Sequence, residues 1–487
     1  MKRLFLKIYN SKHFNGYQHY WFLLGICAVF AFLRLPSLVE PHWYGDEGIY
    51  QVVGRALNDG RVLYRDIWDN KPPLLYIIYA FLQGNLFAVK LFSLISGLLS
   101  IIVFFLLSLR IFKKNHSVYV ATTVFALLLG LPIIEGNIAN AENFMLLPIV
   151  TGGYFIYLYT KNKYTLQLVT AGILLSIAFI IKTVAIFDFV AFFVFLFLIF
   201  FTENKLRLKI SFVMLASFLS LFLICCLYFF ALGAFQDFMD GVFTQNIGYV
   251  SEQYGAANPR IILLIKTIIL AAIVGAIFFL RKKITKSALF IYIWVAFGSY
   301  SVLFSDRPYT HYLIVLLPAF SLLLGHSLER SRVRFFELVL IIVIALSAYF
   351  HFQLYRKNIA YYRNYIEFIT NRKEIRDYQS FFDRNTPRDY KIANFIRTNV
   401  GKNEEVFLIS DSVQIYALSD KLPIGKYLAA YHISYYKDGL KITKEQIEKV
   451  RPRYIIQTTA GSVFDELLSS YDLRYIMEGT KIYERQI

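Results

Sequence analysis

The first three-quarters of the chain is a succession of apolar runs separated by short polar breaks. The runs lie near 20–38, 87–110, 117–134, 143–160, 165–181, 183–201, 210–232, 260–280, 288–304, 312–325 and 335–351. A stretch of about 18 or more apolar residues matches a bilayer core of roughly 30 Å, so the pattern predicts about eleven membrane-spanning helices. Between the first two runs stands a different pattern, "WYGDEGIYQVVGRALNDGRVLYRDIWDNKPPLLYIIYAFL", from Trp43 to Leu82. Within it "GIYQVVGRALNDG" has helical spacing, with Asp46 and Glu47 at its start and Gly60 as a stop signal. "KPPLLYIIYAFLQ" is too short to span, and Pro72 and Pro73 suit the first turn of a second short helix. Both read as amphipathic helices lying along the membrane interface.

After residue 351 the pattern changes again. "EEVFLISDSVQIYALSDKLPI", from Glu404, places a short β-branched strand before a helix-like stretch. The segment from Pro452 repeats it as strand, helix, strand, a turn at Glu478-Gly479 and a last strand. The expected architecture is therefore a polytopic α-helical membrane domain over 1–351, followed by a small α/β domain over 352–487.

Composition agrees with the membrane reading. Of 487 residues 57% are hydrophobic and 18% aromatic, and the mean hydropathy is +0.50, a balance that a soluble domain cannot cover with polar surface. The net charge of +18 does not point to nucleic acid, because the basic residues sit in short clusters between apolar runs. Arg110, Lys113 and Lys114; Lys161 and Lys163; Lys205, Arg207 and Lys209; Arg281, Lys282, Lys283 and Lys286; and Arg330, Arg332 and Arg334 occupy every second connection. With the basic N-terminus (Lys2, Arg3, Lys7, Lys12) as a retained signal anchor, all of these fall on the cytoplasmic side, as the positive-inside rule requires. The cysteines, Cys27, Cys225 and Cys226, lie in apolar segments and imply no disulfide framework.

The same threading collects the unusual polar residues on the opposite, extracytoplasmic face of a cell membrane. They include the 43–82 stretch, Glu135 to Glu142, the turn at Lys182, the loop 233–259, and "SDRPYTHY" at 305–312, with the C-terminal domain. Asp46 and Glu47 offer carboxylates for a general base or a metal, and Lys71 a fixed positive charge for a phosphate. Lys182 and Asp188 stand against the apolar grain of "LLSIAFIIKTVAIFDF", where an ionisable group is a functional candidate and interhelical pairing the alternative. Glu142 opens a span after an asparagine-rich turn, while Asp306, Arg307, His311 and Tyr312 cluster at another helix entry. The loop 233–259, with Gly241, Gly248 and Gly255, has the length of a lid. Cations at the interface beside carboxylates suit a phosphate whose hydrocarbon chain remains in lipid.

Asp46-Glu47 with Tyr50, Gly60, Tyr64, Asp66 and "NKPPL" at 70–74 resembles the first extracytoplasmic loop of the GT-C glycosyltransferases. Among them, the similarity is to the dolichyl-phosphate-mannose protein mannosyltransferases and the bacterial aminoarabinose transferases that act on lipid A. It covers roughly residues 15–350, and an outward α/β tail occurs in such enzymes too. The resemblance implies an inverting transfer of sugar from a polyprenyl-monophosphate donor to an extracytoplasmic protein, lipid or glycan, as in cell-envelope glycosylation. By similarity Asp46 is the catalytic base or the acceptor-orienting carboxylate, with Glu47 and Glu142 as further acids, and Lys71, Lys182 and Arg307 bind the donor phosphate. Tyr50, Arg55, Asp66, Asp69, His311 and Tyr312 are expected to line the substrate groove. The aminoarabinose branch has Glu-Lys-Pro where this chain has Asn70-Lys71-Pro72, so a divalent cation stays open, with Asp69 adjacent. Two other readings remain, an oligosaccharide ligase or polymerase with a pyrophosphate-linked donor and a lipid-linked-sugar transporter.

The topology is directly testable. A reporter fused after Ile487 is expected to be active only outside the cytoplasm, and one inserted at Lys283 only inside. A cytoplasmic signal from the C-terminal fusion overturns the threading.

Overall fold

The computed structural model describes residues 17–246, 258–305, 307–329, 331–436 and 438–486. Each of the apolar runs is a helix, from Tyr17–Arg34 through Leu86–Ile111 to Ser331–His351. Among the described residues six helices are long and apolar enough to cross a bilayer, while Asn115–Gly130, Thr165–Ile181 and Thr183–Ile199 are apolar but shorter. Large apolar side chains such as Phe212, Leu223, Ile269, Phe335 and Phe350 are exposed along these helices. Bare apolar helix faces of this length fit lipid, because the backbone groups are satisfied within each helix. The chain is a multi-pass membrane protein.

Packing divides the chain into two compact units. The first comprises Met1–Leu35, Leu91–Cys225 and Ile247–Asn358. Its core pairs Asn115–Gly130 with Leu313–Glu329, Ala141–Asn162 with Thr165–Ile181, and Ile186–Ile199 with Lys286–Val302. Aromatic side chains fill the last of these contacts, with the rings of Phe192 and Trp294 4.9 Å apart edge to face. A side chain at Gly325 would meet the carbonyl oxygen of Ser117 at 2.7 Å, so the helices there approach backbone to backbone.

The second unit gathers Pro36–Lys90, Cys226–Asn246 and Ile359–Ile487. Packing thus divides the chain differently from composition, which separates only 352–487. Helix Gly45–Asn58 packs on Pro73–Phe81 and on Gln414–Ser419. Because the C-terminal residues cover its second side, Glu47 through Gly54 are all buried, and the helix does not have the open polar face expected of an interfacial segment. In the same unit the segment 233–246, read from sequence as loop, forms the helix Phe235–Met239 and a π-helical turn, Asp240–Thr244. The remainder of the expected lid, residues 247–257, lies outside the described residues.

The C-terminal sheet has four strands, β1 (Val406–Ile409), β2 (Tyr454–Gln457), β3 (Tyr471–Met477) and β4 (Thr480–Arg485), in the order β1-β2-β4-β3. β1 and β2 are parallel and wholly buried, the pattern of strands joined by a helical crossover. β4 runs antiparallel to both of its neighbours. Glu478 and Gly479 both have left-handed backbones (φ 48° and 79°), which is the two-residue turn that suits a right-twisted hairpin. The fold class expected from sequence, helical membrane spans with an α/β C-terminal domain, is the one observed. In the C-terminal domain the segment after β2 is a 3-10 helix, Ser462–Leu468, where an α-helix was expected.

Gly54 generates a prediction. A Cβ added there would lie 2.8 Å from the backbone nitrogen of Ala80. Gly54→Ala must push two helices apart and is expected to cost about 1–3 kcal/mol, read as a lower midpoint of thermal unfolding in detergent.

Candidate functional site

Two polar clusters stand out, one in each unit. In the second unit, Asp46 occupies the first turn of Gly45–Asn58, half-buried, where the helix N-terminus favours negative charge. The hydroxyl of Tyr50, one turn along, donates to its Oδ2 at 3.2 Å. Lys71 is held by its backbone, since its N–H donates to the Tyr76 hydroxyl (3.1 Å) and its carbonyl accepts from Tyr64 (2.7 Å). Its Nζ donates to Asn70 Oδ1 at 2.6 Å. Asp69 is buried and accepts from Tyr76 at 2.6 Å. Burial and then the charge of Asp69 raise the phenol of Tyr76 well above its ordinary pKa, so it stays a donor.

The C-terminal residues reach the same cluster. The backbone N–H of Trp68 donates to the Lys426 carbonyl at 2.9 Å, and its indole lies edge-on to His432, 5.0 Å between centroids. His432 is 1% exposed, with Nε2 3.9 Å from Asp69 Oδ1. Its pKa is pushed down to about 3 by burial first, then by the charge of Lys71, with Asp46 opposing. Both Lys71 and Asp46 are therefore within electrostatic reach of this imidazole.

In the first unit, Glu142 begins helix Ala141–Asn162 and is 2% exposed. The Nζ of Lys182 donates to its Oε1. His311 Nε2 stands 3.7 Å from the same oxygen, and its Nδ1 donates to Glu135 Oε2 at 2.8 Å. The Lys182 ammonium also lies 4.7 Å above the Tyr312 ring. Lys182 can reach because its backbone is extended, ending Thr165–Ile181 just before the next turn begins. A broken helix thus presents a cation to an acid at another helix's N-terminus.

The sequence matches no protein-family profile, and no curated protein matches it. Solved structures do match. The crystal structure of ArnT from Cupriavidus metallidurans in the apo state aligns over 94% of this chain and 97% of its own, with TM-score 0.58 and 15% identity. The same protein bound to undecaprenyl phosphate aligns over 96% and 98%, with TM-score 0.56 and 13% identity. The chain shares the fold of ArnT.

Within this fold the expected site residues take different positions. Asp46, Tyr50, Lys71 and Asp69 belong to one cluster, and Glu142, Lys182, His311 and Tyr312 to the other. Arg307 is half-buried in the first unit. Glu47 points to Lys90 instead, at 3.4 Å, and Lys90 also binds Glu40 at 2.7 Å. Arg55 donates to the Ala417 carbonyl (2.8 Å) and pairs with Asp420, tying Gly45–Asn58 to the C-terminal residues. Asp66 closes its own turn, accepting from the Val62 N–H at 2.8 Å, and the Arg65 guanidinium holds its carboxyl below the usual range. Asp188 takes the interhelical alternative, accepting from Trp294 Nε1 at 2.7 Å. Among the described residues no group of three or more His, Cys, Asp or Glu side chains is placed to hold a metal ion.

Sequence reasoning missed Lys90 and His432. Lys90 had a signal, a lysine inside the apolar "NLFAVKLF". His432 had none, because "AAYHISYY" reads as an ordinary packed helix.

The depressed pKa of His432 sets a pH dependence. Above about pH 6.5, the ordinary histidine value, neither folded nor unfolded His432 is protonated; as pH falls toward about 3 only the unfolded chain gains the proton, so stability drops. Between about pH 6.5 and 5 the loss from this group is about 2 kcal/mol. Thermal unfolding of His432→Phe at both pH values is expected to show a shallower decline by about that amount.

Proposed function

We propose that this protein is an integral-membrane glycosyltransferase that moves a sugar from a polyprenyl-monophosphate donor to an acceptor hydroxyl or amine, with inversion, on the extracytoplasmic face of the cell membrane. The GT-C fold supports glycosyl transfer, and ArnT, which shares it, has been crystallised with undecaprenyl phosphate. The observation that carries the reading is the state of Asp46. Of the adjacent acids at the start of one buried helix, Glu47 is paired with Lys90, whereas Asp46 is half-exposed and oriented by a neutral hydroxyl. A carboxylate so placed can accept a proton.

In the reaction the acceptor oxygen or nitrogen attacks the anomeric carbon from the side opposite the phosphate. Its proton passes to Asp46, the anomeric C–O bond breaks, and the electron pair leaves with the lipid phosphate. Lys71 neutralises the charge that develops on that leaving group, and its anchored backbone lets it do so without reorganising.

Transfer from a labelled polyprenyl-phosphate sugar by purified protein tests these roles. Asp46→Asn is expected to cut turnover by about 10²–10⁴-fold with donor binding nearly unchanged, because a base acts mainly in the transition state. Lys71→Ala is expected to weaken donor binding and slow transfer together, and Lys71→Arg not to rescue, since a planar guanidinium places its donors differently. Near-normal turnover in Asp46→Asn removes it as the base. Release of a lipid diphosphate instead of a monophosphate rules out the monophosphate donor.

A further inference from the structure

His432 lies some 360 residues of sequence beyond Lys71, yet it packs into the same cluster. It is 1% exposed, and among the described residues its buried Nδ1 has no hydrogen-bond partner. Its other nitrogen, at 3.9 Å from Asp69 Oδ1, is beyond hydrogen-bond distance. A buried polar nitrogen without a partner calls for a physical explanation, and a role at a functional site is one. The neighbours of His432, Asp69 at 3.9 Å and the Trp68 ring at 5.0 Å, lie in the same short segment as Lys71, and the charges of Lys71 and Asp46 both reach the imidazole. The imidazole stays neutral, so it carries one donor and one acceptor.

The surroundings of the ring narrow the choice of partner. Trp68 is edge-on to His432 and to Tyr436, with centroids 5.0 and 4.4 Å away. Tyr436 stacks on Tyr427 at 5.5 Å. Aromatic side chains with a neutral donor–acceptor group suit a pyranose, whose C–H face packs on rings and whose hydroxyls both give and take hydrogen bonds. A phosphate would instead prefer a charged donor, which Lys71 already is.

We propose that His432 is a substrate-contacting residue through which the C-terminal residues read the donor's sugar, its Nδ1 exchanging a hydrogen bond with a sugar hydroxyl. This assignment rests on the glycosyltransferase reading. Because Trp68 is bonded through its backbone to Lys426, the segment 426–436 is positioned with the 43–82 stretch, and differences in that segment would alter which sugar is accepted.

The test uses the full chain in lipid nanodiscs, with undecaprenyl phosphate and undecaprenyl-phosphate-linked glucose, mannose and galactose as probes. His432→Phe keeps a ring and loses both nitrogens. It is expected to bind undecaprenyl phosphate like the unaltered protein and to lose about 10-fold or more in affinity for the preferred sugar-linked lipid. His432→Asn places an amide near Nδ1 and is expected to recover part of the loss; His432→Gln, whose amide falls near Nε2, is not. Unchanged affinity and turnover in His432→Phe overturns the proposal. So does an equal loss for both lipid types together with a lower unfolding midpoint, which marks a purely structural residue. If the unaltered protein binds none of these lipids and transfers no sugar from them, the polyprenyl-phosphate reading itself fails.

Discussion

The second unit is organised around a lysine that water does not reach. Lys90, at the start of helix Leu86–Ile111, is 0% exposed and lies between Glu40 and Glu47 at 2.7 and 3.4 Å. Tyr361 donates its hydroxyl to the same Glu40, so a C-terminal helix joins the network. Removing one member of such a buried set leaves an uncompensated charge, a loss of about 3–5 kcal/mol in comparable cases. The constraint reaches the proposed chemistry through one peptide bond. With Glu47 drawn to Lys90, Asp46 is left at the open end of the helix.

The first unit handles buried charge in a similar way. The broken helix at Lys182, the Glu142 carboxylate and the Glu135–His311 pair satisfy one another among otherwise apolar elements. At the other end of the spans, Glu337 accepts from both His326 and Tyr292, again fully buried. Ionisable groups at such depth persist only when paired, and irregular backbone persists only where protein covers it. Both conditions hold here. The exposed surface of the spanning helices, by contrast, carries large apolar residues that meet lipid.

The second unit also joins segments that the membrane spans separate in sequence. Helix Gly45–Asn58 is clamped between Pro73–Phe81 and Gln414–Ser419 and tied by Arg55 to the Ala417 carbonyl. The proposed base, Asp46, in the first turn of that helix, needs such support to keep its geometry. Here part of the support, Gln414–Ser419, comes from residues more than three hundred positions away.

Local pattern made much of this readable in advance. Apolar runs of bilayer length located the helices. β-Branched strand segments and the Glu478-Gly479 turn located the C-terminal hairpin, because strand and turn preferences act over a few residues. Asp46, Lys71 and Lys182 stood out because charge beside apolar sequence is conspicuous. What local pattern cannot encode is who meets whom. That Glu47 pairs with Lys90 and that His432 arrives beside Trp68 and Asp69 are outcomes of long-range packing. Side-chain role follows from the partner and the burial, and both are set only when distant segments close on one another.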